Sequence, residues 1–336
     1  MIKSIKFIDL FCGVGGFRYA LENASVANSL QGECVFSSDI DKDCQRIYAK
    51  NFGETPFGDI DSQEPSQIPD FDLLLAGFPC QPFSIFGKRH GFEDTRGTLF
   101  FSIARILGEK RPEAFVLENV KQLKGHNGGK TLARIMDVLR ELGYYADFRV
   151  YNAIDFGLPQ QRERIFIVGF KSAIPFMWPS GGIPMRPLSS ILETRVSPFY
   201  NASEVIRNKR LNQISKTTPI PKPGIWHENK SGHVSVYPYS CALRAGSSYN
   251  YLLVDGKRRL TGREMFRLQG FPEKFSIADK YTVARKQAGN SLPVPVATAI
   301  LSNLLRAMKS KKSYEYPCDE NGQLRFIIEG SDSYDH

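Results

Sequence analysis

The chain has 336 residues, 42% hydrophobic and 24% charged, which excludes a disordered or collagen-like chain and allows one large α/β domain plus a smaller one. Its six cysteines (12, 34, 44, 80, 241 and 318) form no CxxC pair and no Cys/His cluster at zinc spacing, so a reduced protein without a metal site is expected. Its net charge of +9 is concentrated, because residues 171–258 hold twelve Lys/Arg against four Asp/Glu, which fits either a polyanionic partner or a solubilising surface.

From 4 to 170 short β-type runs alternate with helical ones. "SIKFIDLF" (4–11), "ECVFSSDI" (33–40), "FDLLLAGF" (71–78), "EAFVLENV" (113–120), "YADFRVYNAI" (145–154) and "ERIFIVGF" (163–170) read as strands, several apolar enough to be buried on both faces. Phe100, Ile103, Ala104 and Leu107 form one stripe at helical spacing, and Leu132, Ile135, Met136, Leu139 and Leu142 another. This alternation predicts a doubly wound, mostly parallel sheet. Residues 171–258 carry nine of the twenty prolines and no sustained periodicity, so they read as a loop-rich lobe with short strands such as "YLLV". "LTGREMFRLQG" (260–270) and "VPVATAILSNLLRAM" (294–308) read as helices, and 311–336 as a polar tail. No apolar run approaches the roughly 18 residues of a membrane span, and the start lacks a signal-peptide layout. A soluble, cytoplasmic protein without a membrane partner is expected.

Ligands of such sheets bind beyond the carboxyl ends of the strands. The first end carries "DLFCGVGGF", with Gly13, Gly15 and Gly16 in a tight turn and Arg18 where a dinucleotide loop has its third glycine. Close strand–helix packing accounts for that turn equally well. Asp39 in "SSDID" suits ribose hydroxyls or a helix cap. Asp59 in "GDID", after a short extra strand, suits an adenine amine or a turn. Adenosine without pyrophosphate fits this set better than a dinucleotide, which suggests S-adenosylmethionine. "GFPCQPFS" (77–84) then presents Cys80 between Pro79 and Pro82, which fix two φ angles. A lone cysteine is usually a small buried hydrophobe, but this one stands beside a cofactor loop and an acid, Glu118 in "LENV". Glu118 has a bland reading as a helix-capping acid.

These blocks, with "RGTLFF" (96–101), "QQRERIF" (160–166), "RLTGREMFRLQGFP" (259–272) and "GNSLPVPV" (289–296), follow one another through almost the whole chain. In that order they resemble the DNA (cytosine-5)-methyltransferases of bacterial restriction-modification systems. The resemblance implies an S-adenosylmethionine-dependent, Rossmann-like catalytic domain at 1–170 and a smaller loop-rich target-recognition domain at 171–270. It implies a return segment and helix packing on the catalytic domain at 271–310, and a tail at 311–336.

It also implies roles. Cys80 adds to cytosine C6, Glu118 acts at N3, and Arg164 binds O2 and holds Glu118, with Arg162 assisting. Phe11, Gly13, Gly15, Gly16, Asp39, Ile40, Asp59, Ile60, Pro79, Leu99, Asn290 and Ser291 fall to the cofactor, whose product is S-adenosylhomocysteine. Asp39 stands where glutamate is more usual and Ile40 where many relatives have an aromatic. Gln81, Ser84, Lys88, Arg89 and Arg96 lie in the family's mobile loop, with Arg244, Tyr249 and Arg258 as further DNA contacts. Double-stranded DNA is the implied partner of a monomer that is bacterial, nucleoid-associated through DNA and functionally paired with a restriction endonuclease. No metal is implied. A tRNA cytosine-5 methyltransferase on the same scaffold and a non-catalytic DNA-binding relative are the alternatives. A thiol hydrolase would need a histidine that no strand end supplies.

Overall fold

The computed structural model describes residues 4–79, 99–214, 220–310 and 327–328. Cys80, Gln81, Ser84, Lys88, Arg89 and Arg96 lie outside the described residues. The chain divides into two compact units, Met1–Tyr151 with Glu163–Ser180 and Val296–His336, and Asn152–Arg162 with Gly181–Pro295.

The first unit is built on six strands. β1 (Ser4–Leu10), α1 (Gly16–Ala27), β2 (Gln31–Ser38), α2 (Lys42–Phe52), β3 (Leu73–Gly77), α3 (Leu99–Lys110), β4 (Ala114–Val120), α4 (Lys130–Glu141) and β5 (Tyr145–Asn152) alternate in chain order. The two-residue β6 (Gln160–Gln161) belongs to the second unit, after which β7 (Glu163–Phe170) returns to the sheet. The strand order is β2-β1-β3-β4-β7-β5, with β2, β1, β3 and β4 parallel and β7 antiparallel to β4. This is the mostly parallel α/β sheet that the sequence predicts.

The central strands are apolar because both faces are covered. Leu73, Leu74, Leu75 and Ala76 are all fully buried, as are Phe115, Val116 and Leu117. Both helical stripes point into this core: Phe100, Ile103, Ala104 and Leu107 from α3, and Leu132, Ile135, Met136 and Leu139 from α4. Leu142 packs at its edge. The short extra strand expected before Asp59 shrinks to one bridge, Ser38 with Phe57. Pro56 and Gly58 on either side leave no run that a strand needs. β8 (Met177–Trp178) completes this part of the chain.

In the second unit, α5 (Glu204–Leu211) precedes β9 (Ile225–Glu228) and β10 (Val234–Tyr237), and β11 (Ser240–Cys241) precedes β12 (Leu252–Val254). β10, β9 and β12 make a small antiparallel sheet, while β11 pairs with β6. Trp226, Leu253 and Ala202 form its compact core. Two helices follow, α6 (Gly262–Leu268) and α7 (Tyr281–Asn290). α6 opens on a reciprocal capping box between Thr261 and Glu264. This unit takes in 152–162 and 271–295, which the sequence reading assigns to the catalytic domain and to the return segment. Buried hydrogen bonds explain why: Gln160 Nε2 donates to the Leu268 carbonyl and Gln269 Nε2 to that of Ala288, both within the unit.

The chain re-enters the first unit in α8 (Val294–Ser310), and β13 (Ile327–Ile328) pairs in parallel with β8. The sequence reading finds no membrane-length apolar run, yet the helical stretch Tyr281–Ser310 meets the length and hydropathy of one. Its most apolar window is 72% buried inside the protein, as a core helix is.

Candidate active site

In the first unit the parallel register aligns four strand ends, since Leu10 pairs with Ser38 and Ala76, and Gly77 pairs with Glu118. Beyond β1 the chain turns sharply, with Phe11, Gly13 and Gly15 all at positive φ. Phe11 is half-buried and packs against the core. Gly15, at φ 90°, caps α1, and a Cβ there would stand 2.2 Å from the Phe52 ring. Only glycine fits. At Gly13 a Cβ would meet nothing within 4 Å among the described residues, so the loop faces open space there. Gly16 is buried as the first residue of α1.

Asp39 holds this loop. Its Oδ2 accepts the Gly13 N–H at 2.8 Å and its Oδ1 the Asp41 N–H at 2.8 Å. The cap of α2 falls to Asp41, which accepts from Asp43 and Cys44, so the helix-cap reading of Asp39 drops out. Ile40 beside it is 73% exposed, an apolar side chain left on the surface. Asp59 is exposed and accepts the Asp61 N–H, so its turn role is satisfied in place. The Ile60 side chain, 2% exposed, instead enters the core. Pro79 is exposed at the end of β3, and Leu99 is half-buried at the start of α3.

Arg18, which replaces the third glycine of a dinucleotide loop, ties α1 to α2. It bonds Glu22 and Tyr48, pairs with Glu54, and lies over the Phe52 ring at 4.5 Å. Beneath it Asp9 is fully buried, and burial pushes its carboxyl well above the usual range, opposed by Arg18. We expect Gly15→Ala to cost about 1–3 kcal/mol of stability, because it combines a left-handed φ with a clash. Thermal denaturation of the variant beside wild type would check it.

The acid site is formed by β4 and β7. Glu118 Oε1 accepts from Arg164 Nε at 2.9 Å, with the two side chains only 12% and 13% exposed. Burial pulls the Arg164 guanidinium below its ordinary pKa, and the Glu118 charge opposes that shift. A Cβ on Gly77 would stand 3.6 Å from Glu118 Oε2, so this glycine keeps the space beside the carboxylate. Asn119, which the sequence reading passes over, donates from its buried Nδ2 to the Phe78 carbonyl at 2.9 Å. It thereby fixes the exit of β3 two residues before Cys80. Among the described cysteines, burial pushes the thiols of Cys12, Cys34 and Cys241 up, Cys34 to about 12 and Cys241 to about 11. Those three are held as thiols at neutral pH.

In the second unit two of the arginines singled out by the sequence have buried partners. Arg162 is 1% exposed and donates to the carbonyls of Leu243 (2.9 Å), Gly289 (2.9 Å) and Ser291 (2.5 Å). Its guanidinium is engaged with backbone of the second unit. Arg258 forms a bidentate pair with the fully buried Glu264, both contacts at 2.8 Å, which gives it a structural role. Arg244 and Tyr249 are exposed, with the Arg244 guanidinium 4.8 Å from the Tyr251 ring centre. Asn290 is exposed at the end of α7, and the buried Ser291 hydroxyl has no hydrogen-bond partner among the described residues.

The family model for C-5 cytosine-specific DNA methylases matches residues 5–306. Over 311 residues the chain is 55% identical to the Type II methyltransferase M.NgoBI of Neisseria gonorrhoeae, covering 91% of this chain and 96% of the relative. Over 318 residues it is 52% identical to the Type II methyltransferase M.HaeII of Haemophilus aegyptius, covering 94% and 98%. The fold is similar to that of the Entamoeba histolytica methyltransferase EhMeth, with a TM-score of 0.71 at 19% identity over 91% of this chain and 99% of that one. It is also similar to the S. pombe Dnmt2 methyltransferase, with a TM-score of 0.69 at 23% identity over 90% and 99%.

Proposed function

Because the chain belongs to the C-5 cytosine-specific DNA methylase family, and so is a DNA cytosine methyltransferase, we propose that it methylates one cytosine within a specific duplex sequence using S-adenosylmethionine. The Type II names of its relatives support a place in a restriction-modification system, where methylation protects DNA from a cognate endonuclease. One observation carries the chemical reading: the Glu118–Arg164 pair lies at the carboxyl end of β4, level with the end of β3 that leads to Cys80.

The residues at the strand ends fit the cofactor. Gly13 meets nothing within 4 Å of a Cβ among the described residues, Asp39 has a fixed carboxylate, and Ile40 offers an exposed apolar surface. Bound to such residues, the sulfonium supplies an electrophilic methyl group.

Cytosine C5 is a poor nucleophile, so the ring must first be activated. The Cys80 thiolate forms a bond to C6, and N3 takes a proton or strong hydrogen bond from Glu118, which leaves C5 enamine-like. Arg164 holds Glu118 and binds O2. Once C5 has taken the methyl group, with the methyl–sulfur bond of the donor broken to leave a thioether, the C5 proton leaves to a base, the C6–S bond breaks to release the thiolate, and N3 returns its proton to Glu118. A stacked base cannot reach Cys80, so the target is flipped out of the duplex at a cost of a few kcal/mol.

The tRNA reading is not favoured, because the matching family is a DNA methylase and the relatives at 52% and 55% identity are Type II enzymes. Methyl incorporation into duplex DNA and into tRNA, measured side by side, tests the proposal. We expect incorporation into duplex only, at one sequence context revealed by bisulfite sequencing. Incorporation into tRNA alone would overturn the proposal.

A further inference from the structure

Residues 242–250 link β11 to β12 and contain Gly246, Ser247 and Ser248, a composition with little intrinsic order. The structure nevertheless grips this loop along its length. At its start, Gln160 Oε1 accepts the Leu243 N–H at 3.3 Å while Arg162 donates to the Leu243 carbonyl. The Tyr251 hydroxyl accepts the Arg244 N–H at 2.9 Å and donates to the Ala242 carbonyl at 3.4 Å. In the middle, a Cβ on Gly289 of α7 would stand 2.6 Å from the Ala245 nitrogen, so helix and loop backbones touch. At the tip Arg285, itself only 9% exposed, donates to the Ser247 carbonyl and to that of Ser248 at 3.3 Å. Its guanidinium also lies 4.6 Å from the centre of the Tyr249 ring.

The side chains treat solvent differently. Arg244, Ser248 and Tyr249 are exposed, so a loop whose backbone is held presents two hydrogen-bonding groups and one partly covered ring to solvent. We infer that Arg285, which lies outside every motif of the family resemblance, is a positioning residue that sets DNA-sequence discrimination by fixing the tip of the 242–250 loop. The inference rests on the function proposed above and concerns how its substrate is selected.

The physical reason is preorganisation. A loop free to adapt lets its polar side chains find partners on a wrong base pair, whereas a fixed loop leaves them unpaired and desolvated there. The guanidinium suits this task because its planar fork spans two carbonyls while its face covers an aromatic ring. Lysine keeps the charge but loses the fork.

Bisulfite sequencing of DNA from cells expressing wild type, Arg285→Ala or Arg285→Lys provides the test, together with steady-state kinetics and thermal denaturation of each protein. In Arg285→Ala we expect methylation at sites one base pair away from the wild-type motif to rise about tenfold or more relative to the motif. KM for DNA should rise while kcat changes less, and Arg285→Lys should fall between the two. A folded Arg285→Ala protein with an unchanged motif, or one that loses kcat alone, overturns the assignment. If Arg285→Ala does not fold, the lysine variant decides, a broadened motif supporting the assignment and an unchanged one overturning it. Wild-type protein that leaves DNA cytosines unmethylated would overturn both this inference and the function beneath it.

Discussion

Replacing Cys80 by alanine should abolish methyl transfer to duplex DNA, an expected loss on the order of 10⁴-fold or more, while DNA binding persists. The size follows from removing the nucleophile of a covalent mechanism, whose loss leaves only the acceleration that binding and electrostatics supply. A duplex carrying 5-fluorocytosine at the target gives the sharper readout. Fluorine cannot leave C5 as a proton does, so once the methyl group has been transferred the C6–S bond persists and the protein stays attached to DNA. Wild type should be trapped and Cys80→Ala should not. Peptide mapping of the trapped species adds a second check. Cys12, Cys34 and Cys241 have thiols raised by burial, so the adduct should map to Cys80. An adduct on any other cysteine, or trapping by the alanine variant, would remove Cys80 from its role.

The fold was legible because it rests on local pattern. Apolar runs such as 73–76 and 114–117 signal strands covered on both faces, and the stripes of α3 and α4 signal the helices that cover them. The position of Glu118 was legible for the same reason, since a carboxylate just after an apolar run lies at the carboxyl end of its strand. The partners on either side of a strand break were not legible. Arg162 and Arg164 are two residues apart, and in one continuous strand they would share a face. The strand is interrupted at Arg162, and β6 and β7 belong to different units, so the two guanidinium groups meet different partners. The Arg258 ion pair was hidden for another reason: its partner Glu264 is also the reciprocal cap of α6, a double role that the sequence does not display. Asn119 and Arg285 act through backbone carbonyls 41 and 37 to 38 residues away. Carbonyls carry no sequence signal, and such contacts become visible only once the chain is folded.

Glu118→Gln should lower kcat by about 10²- to 10⁴-fold, the usual worth of a positioned proton donor. The amide is nearly isosteric and keeps an oxygen towards Arg164, so the geometry survives while the titratable group and the charge do not. Stability should fall too. Arg164 is 13% exposed and would lose its counter-charge, and breaking a buried pair on one side costs about 3–5 kcal/mol, with these residual exposures favouring the low end. The two effects are separable. Glu118→Gln combined with Arg164→Met removes both charges, and replacing a whole buried pair by neutral groups of similar volume is often nearly neutral. The double variant should therefore recover most of the stability lost by Glu118→Gln, as read by chemical denaturation, and recover none of the activity. Because the residues touch, the double-mutant cycle should also be strongly non-additive in stability. If the double variant regained methyl transfer along with stability, Glu118 would be a structural acid that merely neutralises Arg164. If activity stays lost in a stable protein, the loss is catalytic and not a loss of folding, and the Glu118–Arg164 pair acts on the base as a unit.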